Sequence, residues 1–240
     1  MGWKIITEIK ESNIVVAERK DDRILMSDNI IYSRLSKYSI YTRSYWDYFL
    51  PLPSLFDEPR ILLIGLGGGT IPFQLGKIYG TSRNVDAVEL DENMVKASKA
   101  FLTESIDANI IVADGASYIK GKKEEYDVIM MDSFKKDNIP DQFISNEFVQ
   151  NAHSALKRDG ILAINYTFSV LGLAREAPYR KKLRRLFNLY TIDLSPTLRN
   201  QVFIASKSML KDEINRIIEA KFPKSHENGF IFDGYKRMKA

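Results

Sequence analysis

The sequence predicts an α/β fold: a doubly wound, mostly parallel sheet preceded by a small β-rich domain. Three observations predict this fold. Short, fully apolar runs alternate with helical segments from residue 60 onward, as in parallel sheets that helices cover on both faces. A cluster of glycines follows the first of these runs. The earlier residues instead form β-branched runs separated by turn residues. We therefore divide the chain into an N-terminal β-rich domain, residues 1–56, and a larger domain, residues 57–240.

The N-terminal domain is expected to be a small antiparallel meander. Its strand-like runs and turn signals are Lys4–Ile9, Asn13–Arg19, Asp21-Asp22, Arg23–Met26 and Asp28-Asn29. A short aromatic helix over residues 44–50 is expected to end at Pro51, since proline cannot continue a helix. The proline-containing connector that follows marks the domain boundary.

The larger domain is expected to alternate strands and helices. The predicted strands are the apolar runs 61–64, 85–90, 109–112, 128–131 and 161–165. The predicted helices between them are 70–78, 92–102, 116–119 and 146–156. Residues 189–194 and 202–205 flank Ser195-Pro196-Thr197, which predicts a hairpin that closes one sheet edge antiparallel. A last helix is expected at 211–222, followed by a polar tail beyond Pro223.

Composition excludes several classes of function. The chain has 240 residues, no cysteine and two histidines, His153 and His226. Thiol nucleophiles, iron–sulfur clusters and multi-histidine metal sites are therefore excluded, and we expect no metal. The net charge of +4 is too small to indicate a nucleic-acid partner, so the basic cluster at 180–185 is expected to be a solvated helix face. No run approaches the ~20 apolar residues of a membrane span, and we expect a cytoplasmic protein.

The most informative stretch is a glycine loop after the first predicted strand. Gly65, Gly67, Gly68 and Gly69 stand directly before a predicted helix. Glycine lets the backbone turn sharply and lets a ligand approach the main chain, and the helix N-terminus offers free N–H groups. Glu89 ends the second predicted strand, where a carboxylate can accept hydrogen bonds from both ribose hydroxyls of a nucleoside. This order of strand, loop, helix, strand and acid indicates nucleoside binding rather than a surface turn.

Two more acids follow the next predicted strands. Asp114, directly before Gly115, follows the third strand, and Asp132 follows the fourth. Ligands bind outside the carboxyl ends of parallel strands, so Asp114 is expected to accept from an adenine amine and Asp132 to face the reactive end of the nucleotide. A lone aspartate after a strand is as often a helix cap. The P-loop pattern is absent from the sequence. A dinucleotide site stays open, but the added aspartates favour an S-adenosylmethionine-type nucleoside.

These segments together resemble the spermidine/spermine synthase (aminopropyltransferase) family, which implies a Rossmann-like, class I methyltransferase-like fold, with this chain as a divergent member. The resemblance extends from Ile14 to Lys207. It is carried by Leu25–Tyr32, Gly65–Thr70, Val88–Asp91, Ala113–Gly115, Asp127–Ser133 and Val202–Lys207.

The resemblance implies both a ligand and a reaction. The implied ligand is decarboxylated S-adenosylmethionine, bound by the glycine loop, Glu89, Leu90, Asp114, Gly115 and Asp132. In the implied reaction, Asp132 orients and deprotonates an amine. The amine then attacks the carbon beside the sulfonium and releases methylthioadenosine.

Two changes fall on the carboxylates of the family pattern. The family's loop aspartate falls on Gly68, and the second aspartate of its Asp-Ser-Ser-Asp segment is missing, because this chain continues Ser133-Phe134 and then Lys135-Lys136. Polyamines are cations that need carboxylates and aromatic faces. The loss of the loop acid also removes a reason to prefer the decarboxylated nucleotide over S-adenosylmethionine.

Other changes fall on the acceptor side. The family's diamine-binding glutamine falls on Tyr32, its Tyr-His pair on Tyr41-Thr42, and the glutamine after its fifth strand on Asn165. We expect Tyr32, Tyr41, Asn165 and Tyr166 to contact the acceptor. Tyr45 and Trp46 either join this aromatic wall or serve ordinary packing.

The expected activity is that of a spermidine synthase-like aminopropyltransferase acting on a diamine such as putrescine. Two alternatives stay open: a methyltransferase that uses S-adenosylmethionine on another acceptor, and a nucleoside-binding relative without catalysis. Residues 139–143 are expected to close over the site. The expected partner is a small-molecule amine, and the resemblance implies a homodimer or higher assembly through the N-terminal strands.

Overall fold

The computed structural model of the chain describes residues 2–80, 84–134, 138–167, 170–194 and 200–240. The predicted turn at Ser195-Pro196-Thr197 and the pair Lys135-Lys136 lie outside these residues. The described ranges form a four-stranded sheet and a seven-stranded sheet, and helices lie on both faces of the larger one. The predicted α/β fold, with a mostly parallel sheet after a β-rich segment, is confirmed.

The smaller sheet is an antiparallel meander in the order β1-β2-β3-β4. Its strands are Lys4–Ile9 (β1), Ile14–Arg19 (β2), Asp22–Ser27 (β3) and Ile30–Ser36 (β4). Asp28 and Asn29 both have positive φ, which is the conformation of a type I′ hairpin turn and which these residue types tolerate. The first predicted turn lies one residue earlier, at Lys20-Asp21, because Asp22 already pairs with Arg19.

The larger sheet has the strand order β10-β11-β9-β8-β5-β6-β7. Its strands are Ile61–Ile64 (β5), Val85–Glu89 (β6), Asn109–Val112 (β7), Tyr126–Met131 (β8), Leu156–Thr167 (β9), Asn188–Asp193 (β10) and Asn200–Ser206 (β11). Strands β5 to β9 pair in parallel, whereas β11 pairs antiparallel with β9 and β10. The predicted antiparallel closure of the sheet edge is confirmed.

The helices lie between these strands or follow the last of them. Their bounds are Thr70–Tyr79 (α1), Glu92–Phe101 (α2), Gly115–Ile119 (α3), Asn146–Ala155 (α4), Val170–Leu183 (α5), Lys211–Lys221 (α6) and Gly229–Lys236 (α7). In the described ranges, no helix combines the length and the apolar character that crossing a membrane requires. The basic cluster near the end of α5 is exposed at Lys181, Arg184 and Arg185. Arg180 departs from the expected solvated face, because it bonds Glu176, Thr191 and Gln201.

The prediction of a polar tail beyond Pro223 is wrong. Helix α7 buries Ile231, Phe232 and Tyr235 in the main core, and Met238, two residues beyond the helix, is buried there as well. Ile231 and Tyr235 are spaced as i and i+4, so they share one face of the helix. The Tyr235 hydroxyl donates to the Tyr48 carbonyl at 2.6 Å. The C-terminal helix therefore packs against the segment before β5 and hydrogen-bonds to it.

Two short 3-10 helices, Tyr45–Phe49 and Leu52–Leu55, follow the small sheet. Their apolar side chains are buried in the core of the large sheet, while the small sheet packs mainly against α2. By their contacts, residues 45–55 are therefore part of the core of the large sheet. The domain division at 56/57 stays a prediction.

Candidate active site

A cleft with a volume of about 390 Å³ lies at the carboxyl ends of β5, β6 and β7, within the range of about 300–1,000 Å³ usual for small-molecule sites. The predicted site residues that line it are Tyr32, Gly65, Glu89, Leu90, Asp114 and Gly115. Open parallel sheets bind ligands at this edge. The structure therefore brings these six predicted residues together, whereas Gly67, Gly68, Gly69 and Asp132 are not among the residues that line the cleft.

Gly65 allows β5 and β8 to converge at the base of the cleft. Its φ is +94°, and a Cβ there would lie 2.3 Å from the main-chain oxygen of Asp132. No side chain fits at that distance. Gly67 continues the loop, and Gly69 directly precedes α1. The glycines thus let Asp132 approach the loop, as well as allowing the loop to turn.

The loop tip at Gly68 is covered by the small sheet. Its N–H donates to the Ser33 hydroxyl at 2.8 Å. A Cβ at Gly68 would lie 2.7 Å from both the Phe101 ring and the Ser33 side chain. Sequence reasoning missed Ser33, since no spacing relates β4 to the loop. The carboxylate that the family pattern has at this position is absent here, and this arrangement leaves no room for one.

Glu89 holds the glycine loop from the neighbouring strand. Its Oε2 accepts from the N–H groups of Leu66 (3.0 Å) and Gly67 (3.2 Å), and its Oε1 accepts from the N–H of Asp91 (3.1 Å). A carboxylate has about four lone-pair positions, so it can accept from a ligand as well. Glu89 therefore has a fixed orientation at the cleft wall.

Glu89→Gln is expected to weaken the binding of methylthioadenosine by about 10–100-fold, the loss typical of a hydrogen bond to a charged group. Glutamine keeps one acceptor oxygen for the loop, so the fold should survive. Isothermal titration calorimetry measures the change, with the exposed Glu104→Gln as the matched control. Equal affinity in the two variants would remove Glu89 from the ligand site.

Asp114 caps α3 and also contacts the segment predicted to close over the site. Its Oδ1 accepts from the N–H of Ser117 at 2.8 Å, and its Oδ2 accepts from the Gln142 amide at 3.2 Å. Burial acts to raise the pKa of Asp114, but hydrogen bonds from Ser117 and Gln142 outweigh it and leave the pKa below its usual value. Pro140, Gln142 and Phe143 line the cleft. Asp114 therefore caps a helix, as a lone aspartate after a strand often does, and it also lines the cleft.

Asp132 stands at the end of β8 with both carboxylate oxygens engaged. Oδ1 accepts from the Asn165 amide at 2.8 Å, and Oδ2 accepts from the Trp46 indole N–H at 3.0 Å. Burial raises the pKa of Asp132 to about 6, against the lowering effect of these hydrogen bonds, and the negative charge of Glu89 adds to the rise. A carboxylate with such a pKa is a stronger base than an ordinary aspartate.

Asn165 is held in place by its own partner. Its Oδ1 accepts from the Asn200 amide of β11 at 2.7 Å, which directs its NH₂ group toward Asp132. The buried Tyr45 hydroxyl lies beside the same carboxylate, and burial together with that charge raises the pKa of Tyr45 well above its usual value. The sequence did not decide whether Tyr45 and Trp46 contact the acceptor or serve ordinary packing. In the structure, both lie beside Asp132.

The predicted acceptor residues divide into two groups. Tyr32 lines the cleft, where its ring stacks on Phe134 with centroids 5.1 Å apart. The structure does not bring Tyr41 or Tyr166 to the cleft. The Tyr41 hydroxyl accepts from Asn228 at 2.8 Å, and the buried Tyr166 ring stacks on Phe203 at 4.9 Å. Successive side chains of a strand face opposite sides, so Tyr166 faces away from the site when Asn165 faces Asp132.

The described residues include no group of three or more histidine, aspartate or glutamate side chains arranged to hold a metal ion. The candidate site consists of a cleft of about 390 Å³, the glycine loop that bonds to Glu89, and the carboxylate of Asp132, which adjoins Gly65 of the cleft lining and has a raised pKa.

Comparison with solved structures shows the same fold. A probable spermidine synthase from Corynebacterium glutamicum superposes with a TM-score of 0.70 at 18% identity, over 95% of this chain and 92% of that one. Human methyltransferase-like protein 13, solved with SAH, superposes with a TM-score of 0.58 at 22% identity, over 80% of this chain and 95% of that one. The large sheet is therefore methyltransferase-like.

Comparison with curated proteins gives relatives at moderate identity. A probable polyamine aminopropyl transferase from Bifidobacterium longum is 29% identical over 157 residues, which are 64% of this chain and 35% of that protein. The chain spans between about a third and a half of the length of the curated relatives it first matches. Residues 48–208 match the spermine/spermidine synthase domain. The chain belongs to the spermine/spermidine synthase family.

Proposed function

We propose that the protein is an aminopropyltransferase that moves the aminopropyl group of decarboxylated S-adenosylmethionine to a small-molecule amine. One observation carries the proposal: Asp132, with its pKa raised to about 6, stands at the strand end next to the nucleoside cleft. Membership of the family supports it, as does the activity for which the Bifidobacterium longum relative is named.

The proposed chemistry needs little from the protein besides orientation and one base. An amine at neutral pH carries a proton and is not a nucleophile until that proton is removed. Asp132 accepts the proton, the nitrogen attacks the carbon beside the sulfonium, and the carbon–sulfur bond breaks. The electron pair stays on sulfur, and methylthioadenosine leaves. Glu89 and Asp114 hold the nucleoside, so that the reacting atoms meet at a fixed distance.

Three finer expectations accompany this proposal. The acceptor is a diamine such as putrescine, the protein acts in the cytoplasm, and the chain assembles as at least a dimer. The edge strand β1 supports assembly, because Ile5 is 58% exposed there.

Methyl transfer from S-adenosylmethionine is the second candidate function. The covered loop tip favours it: the described structure has no carboxylate at Gly68, and the contacts with Ser33 and Phe101 leave no room for one. A carboxylate at this position would attract the amine of the decarboxylated nucleotide and repel the carboxylate of the intact one.

Product analysis tests the proposal. The protein is incubated with each nucleotide and a panel of mono- and diamines, and the products are identified by mass spectrometry. Methylthioadenosine together with an aminopropylated amine is expected. S-adenosylhomocysteine together with a methylated product would instead support the second candidate, and the absence of turnover with every acceptor would contradict both.

The rate at saturating nucleotide and amine is expected to fall as pH drops through about 6. Asp132 must be ionised to accept a proton, and its raised pKa places the loss near that value, with about tenfold per pH unit below it. An ordinary aspartate would place the loss about two units lower. The measurement is the single-turnover rate from about pH 5 to 8. A rate that stays constant from about pH 7 down to 5 would contradict the assignment of Asp132.

A further inference from the structure

A buried carboxylate close to the site has no part in the chemistry proposed above. Asp47 is fully buried. It accepts hydrogen bonds from the N–H and hydroxyl of Thr42 (both 3.1 Å), the N–H of Arg43 (2.6 Å) and the Gln74 amide (2.7 Å). All four donors are neutral groups. Burial of a carboxylate is costly unless its hydrogen bonds are well made, and these bonds fix the geometry of the surrounding chain.

Asp47 joins the loop before β5 to the helix that starts at the glycine loop. Gln74 lies in the first turns of α1, and its amide donates both to Asp47 and to the main-chain oxygen of Ile40 at 2.6 Å. The segment 40–47 is therefore attached to α1 at two points. Any shift of this segment relative to α1 must break at least one bond to a buried group.

The same segment carries the indole that touches Asp132. Trp46 directly precedes Asp47 in the 3-10 helix Tyr45–Phe49, and its side chain reaches Asp132 across 86 positions of sequence. Trp46 is buried, so the direction of its ring follows the backbone of the segment.

We propose that Asp47 is a positioning residue: its hydrogen bonds fix the segment 40–47 so that the Trp46 indole stays bonded to Oδ2 of Asp132. The inference rests on the proposed role of Asp132 as the base. A purely structural Asp47 would lower the stability of the fold when replaced. A positioning Asp47 would in addition change how Asp132 ionises, because the indole N–H stabilises the charged carboxylate.

The fluorescence of Trp46 measures this contact without any substrate. The chain has two tryptophans, Trp3 and Trp46, so Trp3→Phe leaves Trp46 as the sole indole. In that background, the emission of Trp46 is expected to titrate with a midpoint of about 6, the pKa of Asp132, and Asp132→Asn should abolish the transition. The other ionisable groups facing Asp132 are Glu89 from β6 and Tyr45 from the 3-10 helix.

Adding Asp47→Asn is expected to raise the midpoint by about one pH unit, since the carboxylate loses a donor that favours its charged form. Asp86→Asn is the matched control. Asp86 is also buried and accepts from Arg60, Asn109 and Tyr126, but it lies near the opposite end of β6. Its loss should lower the urea midpoint of unfolding and leave the titration of Trp46 unchanged.

A folded Asp47→Asn variant whose titration midpoint matches that of the parent would overturn the inference. Gln74→Met provides a second variant if the first does not fold. It removes one donor to Asp47 and should shift the midpoint in the same direction, so an unchanged midpoint there would also overturn it. Because the titration needs no substrate, a protein without transferase activity would contradict the proposed function and leave this test intact.

Discussion

Replacing Asp132 with asparagine is expected to lower kcat by about 10²–10⁴-fold, the usual contribution of a general base. Asparagine has nearly the same shape but cannot accept the proton of the amine. In the proposed binding mode the nucleoside is held by Glu89 and the other cleft residues rather than by Asp132, which does not line the cleft. The affinity for methylthioadenosine should therefore stay within a few-fold of the parent. Turnover and calorimetry on the same preparation give both quantities.

The matched control for this variant is Asp57→Asn. Asp57 is exposed and pairs with Lys221 at the other end of the sheet, so the change should alter neither rate nor affinity. An Asp132→Asn enzyme that retains a rate within a few-fold of the parent would show that another group removes the proton. A loss of nucleoside binding with unchanged kcat would assign Asp132 to binding alone.

Gly65→Ala is expected to destabilise the fold by about 2–5 kcal/mol. Two effects add: positive φ at a non-glycine residue costs about 1–2 kcal/mol, and overfilling a packed site costs about 1–3 kcal/mol. Here the added Cβ would meet the main chain of Asp132 at 2.3 Å, and a backbone atom cannot rotate away as a side chain can. Equilibrium urea unfolding measures the difference.

Gly80→Ala separates the two effects. Gly80 also has positive φ, at +75°, but a Cβ there meets nothing within 4 Å. Its alanine variant should lose only the conformational part, about 1–2 kcal/mol. Equal losses at both positions would mean that the end of β8 moves away from the loop without cost. The close approach of Asp132 to the loop would then not be a constraint on the site.

Much of the fold follows from local patterns in the sequence. The runs 61–64 and 128–131 are apolar throughout and flanked by turn or helix signals, and they form β5 and part of β8 as predicted. Asp28-Asn29 predicts its turn because both residue types tolerate positive φ. Helix α7 was not predicted because the segment beyond Pro223 is rich in charged residues, yet Ile231 and Tyr235 share one buried face at helical spacing.

The predicted nucleoside-binding residues were accessible to sequence reasoning because each one lies at or just after the carboxyl end of a strand. The positions of Gly65, Glu89, Asp114 and Asp132 follow from the rule that the carboxyl ends of parallel strands lie at one edge. Asn165 was predicted as a site residue only from the family resemblance.

The residues around Asp132 were harder to predict from the sequence, because they depend on contacts between distant segments. Trp46 and Ser33 reach the site from the chain before β5, and no spacing in the sequence encodes such contacts. The alternation of sides along β9 also directs Tyr166 into the core.

A crystal structure of the protein with methylthioadenosine tests the proposed nucleoside site most directly. The nucleoside is expected to lie at the carboxyl ends of β5 to β7, with its ribose hydroxyls donating to the Glu89 carboxylate and its sulfur directed toward Asp132. A nucleoside bound elsewhere, or one whose ribose does not contact Glu89, would contradict the proposed site.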